Sequence, residues 1–218
     1  SHTTELGGSL TLCSSTRVRV FLARGASLER RWTRLRISKA PLVQKLMCIP
    51  IVFWASALCG ALGCVFADGH IHQLRKKAVA ALGLKIGGSN PMLRLSLSQP
   101  ATADPGFYHL RHCVFDFRRI CDKTPDLLVQ WRTFMAHFTG RKLTGPFYKI
   151  VDLFSMLGWS IGMPPLFTDH DGFIHNLLQL PNAALELLLH DAWLQYVAHQ
   201  VTHRRTMHDL AGLCKELT

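Results

Sequence analysis

Met47–Ala67, MCIPIVFWASALCGALGCVFA, runs for 21 residues without one charged side chain. As a helix rising 1.5 Å per residue it would measure about 31 Å, the depth of a bilayer's hydrocarbon core. The fold turns on whether this stretch crosses a membrane or forms the apolar axis of a helical bundle. Pro50 near its start argues against a span, since proline removes a helical donor. So do the cations at both flanks, Lys39 and Lys45 before it and Arg75, Lys76 and Lys77 after it, because a span concentrates its cations on one side. The Ala, Gly, Ser and Cys in the stretch suit close helix packing in either solvent.

Outward from this segment, the chain has 218 residues, of which 48% are hydrophobic and 18% charged. That is enough for one large or two small globular domains, and it excludes a mainly disordered or collagen-like chain. Ser1 stands where an initiator Met is usual, so a processed product or a piece of a longer reading frame is expected, with further machinery upstream. The seven cysteines, at 13, 48, 59, 64, 113, 121 and 214, are irregularly spaced, and none forms the two-residue-spaced pair that grips zinc. They are expected to be small buried hydrophobes in a reducing, nuclear or cytoplasmic setting.

Charge is uneven. Residues 1–77 carry 12 Lys or Arg against 3 acids, whereas residues 147–218 carry 4 against 7. A cationic end of this kind suits an extended array of negative charge, either a phosphate backbone or an anionic membrane face. Within it, Arg17, Arg19, Arg24, Arg30, Arg31, Arg34, Arg36 and Lys39 fall along a segment whose Val18, Phe21, Leu22, Leu28, Trp32 and Leu35 recur at near-helical spacing. Glu29 is its only acid, so neighbouring ion pairs do not account for the arginines, and phosphate contact is expected. Trp32 is expected in the core rather than stacked on a base.

Elsewhere the pattern is helical. Periodicity and caps predict helices over 68–82, 91–97, 105–120, 125–138 and 145–157, the fourth opening with Thr124-Pro125-Asp126, and a last one from Asn182 to about His203. Two β signals interrupt them: Glu5–Leu12 around a Gly-Gly pair, and Asp169-His170-Asp171-Gly172 between apolar flanks. The fold class expected is therefore mainly α, a helical bundle with a short N-terminal β-hairpin and a small hairpin near 160–178. Two regions are expected, 1–88 and 89–218.

Signals for catalysis are missing. There is no Gly-x-Ser-x-Gly elbow, and Gly87-Gly88 lacks the Gly-Lys-Ser/Thr that cradles phosphates. His199 and His203, four apart on one helix, are weak metal candidates, but Gln200 stands where a zinc protease needs Glu. Asp169 and Asp171 suggest a calcium loop until its closing position, which is Leu180 instead of Glu. No metal, no cofactor and no enzymatic activity are expected.

Read in order, Leu6-Gly7-Gly8-Ser9-Leu10, the Arg-rich helix, KLMCIPIVFWASALCGALG at 45–63 and LRKKAVAALG at 74–83 resemble the region after the catalytic palm in reverse transcriptases of LINE-type (non-LTR) retrotransposons. NPMLRLSL, DPGFYHLRHCVFDFRRIC and DAWLQYVAHQVTHRRTMHDLAGL resemble the C-terminal extension that follows. The resemblance implies a primer-grip-like hairpin at Leu6, Gly7 and Gly8, a basic helix tracking a template–primer, and a buried thumb helix over 43–67. The Tyr/Phe-x-Asp-Asp polymerase core does not occur in this chain. The function expected is that of a non-catalytic fragment of such an enzyme, binding an RNA/DNA template–primer without sequence preference through residues 17–39 and Arg75, Lys76 and Lys77, beside an upstream palm of the same polyprotein. The alternative is a small basic membrane protein with a single span at 47–67.

Overall fold

The structure, a computed structural model, describes residues 4–5, 8–9, 23, 27–58, 68–84, 90–138 and 145–216, with the backbone alone for the N-terminal strands, 68 and 204–216. It is mostly helical, as the patterning implied. At the N-terminus β1 (Thr4–Glu5) pairs antiparallel with β2 (Gly8–Ser9), Glu5 opposite Gly8. Then come α1 (Glu29–Ile37), α2 (Leu42–Cys48), α3 (Asp68–Ala81), α4 (Pro91–Ser96), α5 (Pro105–Lys123), α6 (Asp126–Ala136) and α7 (Pro146–Met156). A three-stranded antiparallel sheet follows, in the order β3 (Ser160–Ile161), β4 (Leu166–Thr168) and β5 (Ile174–Asn176), and α8 (Asn182–Glu216) closes the chain.

Pro50 does not stop the helix it sits in. Beyond Cys48 the coil widens over Ile49–Trp54, where the Ala55 N–H bonds to the Pro50 carbonyl five residues back, and Ala55–Ala57 completes it. The wider turn accommodates a residue that has no N–H and whose ring crowds the preceding turn. Ile49, Phe53, Trp54, Ala57 and Leu58 from this half of the apolar stretch are buried in protein, and Trp54 Nε1 donates to the Ala103 carbonyl at 3.0 Å. The helix expected to be buried over 43–67 is buried on one side only in its described part, because Val43, Met47 and Ile51 lie on an exposed face, four residues apart. Among the described residues no helix is long and apolar enough to cross a membrane, and residues 59–67 lie outside them.

Two apolar cores form. The first joins Leu28, Trp32 of α1, the 46–58 segment and Ala78, Val79 and Leu82, and also takes Leu95 and Ala103 from beyond residue 88. The second is built by α5, α6, α7, the sheet and α8, with Phe107, Phe117, Trp131, Phe154, Phe167, Leu189 and Trp193 at its centre. Met92 belongs to the second core and Leu95 to the first, so the short helix α4 lies between them.

Local chemistry sets the element ends. Asn90 caps α4 by accepting the Met92 N–H at 2.9 Å, with Pro91 at the first helical position. Thr124 does not cap α6; Pro125 precedes that helix without a side-chain bond, and the Thr124 backbone carbonyl takes the Leu127 N–H. Between β4 and β5, Asp169 accepts the amides of Asp171 and Phe173 at 3.0 and 2.9 Å and meets His175 Nε2 at 2.7 Å, while Gly172 takes φ 90°. Burial alone would raise the Asp169 carboxyl, but the bonds from His175, Phe173 and Asp171 hold it below its ordinary value. The acidic run is thus a turn anchor. The last helix runs on to Glu216 rather than ending near His203.

Candidate nucleic-acid interface

The helix α1 is seated by an i, i+4 pair, Leu28 just before it and Trp32 within it, both buried, and the Trp32 ring stacks on Phe53 at a centroid distance of 3.7 Å. Trp32 is therefore a core residue. With that stripe turned inward, 100° per residue sends Arg30 and Arg34 to the opposite side and Arg31 and Arg36 to the two flanks, and all four are exposed. Lys39 and Lys76 are exposed as well.

The arginines divide by partner. Arg111 grips Glu186 through Nε and Nη2 at 2.8 and 3.0 Å, and Arg118 donates to the Leu178 carbonyl. Arg119 pairs with Asp116, and Arg132 donates to the Pro164 carbonyl. Side chains of Arg30, Arg31, Arg34 and Arg36 make no ion pair or hydrogen bond among the described residues. Glu29, the one acid of the segment, is held by Lys77, which ties α1 to α3.

Arg75 does not belong to this surface. Only 8% exposed, it turns inward and binds Asp104 through Nε and Nη2 at 2.8 and 3.0 Å. The expected basic cluster 75–77 is thereby split: Arg75 is internal, Lys76 is exposed and Lys77 is paired. Consecutive helical residues point 100° apart, so one packed face must take one of three neighbours inward. Sequence reasoning assigned no role to Asp104, whose partner Arg75 lies 29 residues away.

Arg17, Arg19, Arg24, Leu6 and Gly7 lie outside the described residues, and Gly8 is placed only as the β2 partner of Glu5. His199 and His203 are both exposed with ring centroids 6.2 Å apart. Among the described residues no group of three or more His, Cys, Asp or Glu is placed to hold a metal ion. No protein-family model, no curated protein and no solved structure matches the chain.

Proposed function

We propose that the chain binds the phosphate backbone of a nucleic acid through α1, without sequence preference and without catalysis, as a thumb-like part of a retroelement reverse transcriptase acting beside an upstream palm. The observation that carries the reading is the set of exposed arginines at 30, 31, 34 and 36, whose side chains make no ion pair or hydrogen bond among the described residues, while Arg75, Arg111, Arg118, Arg119 and Arg132 each make one. Exposed guanidinium groups without an ion pair among the described residues, on a firmly seated helix, are suited to fork-like contacts with phosphate oxygens. The sequence resemblance supports an RNA–DNA template–primer as the partner. Against the membrane-spanning alternative stands the burial of Ile49, Phe53 and Trp54 in protein.

The test is a labelled RNA–DNA hybrid titrated with the chain over a range of salt. Affinity is expected to fall steeply as salt rises, and the triple variant R30A/R31A/R34A should bind more weakly with a log–log salt slope smaller by about 2 to 3, one released counterion or slightly less per lost contact. An unchanged affinity and slope in that variant removes α1 from the function. Recovery of the chain only in detergent, with no shift of the hybrid, favours the membrane alternative.

A further inference from the structure

The turns that carry Ile49, Phe53 and Trp54 into the first core present their other side to solvent. Val43, Met47 and Ile51 are 66%, 50% and 71% exposed and stand four residues apart, with Ala55 exposed a further four residues on. In a regular α-helix such a row drifts round the axis, because 3.6 residues close a turn. The wider turn over Ile49–Trp54 takes more residues to close, and so keeps residues four apart nearer to one line. Leu42 is exposed at the head of the row, and Ile37, 74% exposed, ends the helix before it. Single exposed apolar residues are ordinary, whereas a contiguous row marks a contact surface.

The charge at the head of this row has one sign. From Arg30 to Ala67 the sequence holds six Lys or Arg and no acid. Arg36 and Lys39 are exposed on either side of Ile37 and Ser38, and Lys45 Nζ reaches back to the Arg36 carbonyl at 3.5 Å, so three cations gather at the corner between α1 and α2. The matching partner is negative at that corner and apolar along the row. A groove beside the row, lined by Met47, Ile51, Pro100 and Tyr108, is also lined by Arg111 and Glu186, which are paired with each other. An acidic helix laid there would meet Glu186 and no unpaired cation, and a second copy of the chain would bring no acid to the corner except that same Glu186. An anionic bilayer fits both features, since its phosphates lie above its hydrocarbon and the cations and the apolar row engage different depths together.

We propose that this row docks the chain on the surface of an anionic bilayer, with Ile37, Val43, Met47 and Ile51 entering the boundary between headgroups and acyl chains and Arg36, Lys39 and Lys45 meeting lipid phosphates. The contact is peripheral, because the inner side of the same turns stays in the protein core, where Phe53 stacks on Trp32. The proposal does not rest on the nucleic-acid reading.

The test is flotation of the full chain with vesicles of phosphatidylcholine, alone or mixed equally with phosphatidylglycerol. The mixed vesicles should bind the chain roughly tenfold more tightly than phosphatidylcholine alone and release it in high salt. V43Q/M47Q/I51Q changes only exposed side chains; it should lose roughly tenfold or more on mixed vesicles while its Tm and its affinity for the RNA–DNA hybrid stay at the wild-type values. I51D alone, which sets an acid in the row, should also lose binding and decides the matter where the triple variant does not fold. K39A should weaken binding about fivefold. A wild-type chain that floats with mixed vesicles but does not shift the hybrid counts against the α1 reading and supports this one. Equal vesicle binding in wild type and V43Q/M47Q/I51Q, or no binding to mixed vesicles, overturns the proposal. So does retention on vesicles in high salt, as a span would show, or self-association of the wild type that the triple variant abolishes without any change on vesicles.

Discussion

Replacing Asp104 with alanine removes two interactions at once. The carboxylate is fully buried; it caps α5 by accepting the Gly106 and Phe107 amides at 2.7 and 3.2 Å, and it holds Arg75 at 2.8 and 3.0 Å. Loss of the cap costs about 1 kcal/mol. Leaving a buried guanidinium unpaired costs about 3 to 5 kcal/mol. Together these come to about 4 to 6 kcal/mol, the low end of an ordinary domain's stability of about 5 to 15 kcal/mol, so D104A should be strongly destabilised at 25 °C. D104N separates the contributions: an amide oxygen still caps the helix, but the charge is gone, and the expected loss is about 3 to 4 kcal/mol. Adding R75M to D104N removes the stranded cation, and most of that loss should return. Urea unfolding followed by tryptophan fluorescence at pH 7 measures all three. A D104N variant within about 0.5 kcal/mol of wild type, or a double variant no more stable than D104N, would refute the reasoning, because the pair would then contribute nothing beyond surface-like electrostatics.

Two other perturbations follow from the same physics. His109 takes up its proton near 6.5 when unfolded but only near 3 in the folded chain, so the stability it contributes is complete above pH 6.5 and is lost as pH falls toward 3, by about 1.4 kcal/mol per pH unit. The urea midpoint of H109Q should accordingly vary less between pH 6.5 and 4 than that of wild type, and parallel profiles would show that His109 titrates normally. Among the described cysteines, Cys48 is exposed while Cys113 and Cys121 are buried, and burial, with Asp122 adding, raises the Cys121 thiol to about 11. Brief treatment with iodoacetamide at pH 8 should modify Cys48 well before Cys113 or Cys121, as read by mass spectrometry of peptides; equal rates would mean the core around α5 opens freely.

Much of the helical framework was legible because its causes are local. Proline after Asn90, and apolar residues every three or four positions along 105–120, 145–157 and 182–203, concern residues within a turn or two of one another. The arginines of α1 were legible for the same reason: once Leu28 and Trp32 mark one side, Arg30 and Arg34 must occupy the other and Arg31 a flank. Even the turn at Asp169–Gly172 declares itself, though the third strand beside it does not, since β3 pairs with β4 across the segment holding Pro164 and Pro165.

What lay beyond the sequence depended on partners remote along the chain. Whether Arg75 or Lys76 faces inward is settled by Asp104, 29 residues away, and the partner of Glu29 is Lys77, 48 residues on. Whether 47–58 meets lipid or protein is likewise decided by where Trp32, Val79 and Ala103 pack against it, because an uncharged helix is equally apolar in either solvent. By itself the sequence determined which segments coil and which faces are apolar, as these follow from backbone preferences and spacing within a few residues. Tertiary packing alone decided which charges are buried, which are paired and which stay free, because burial and pairing are properties of side chains that only the folded chain brings together.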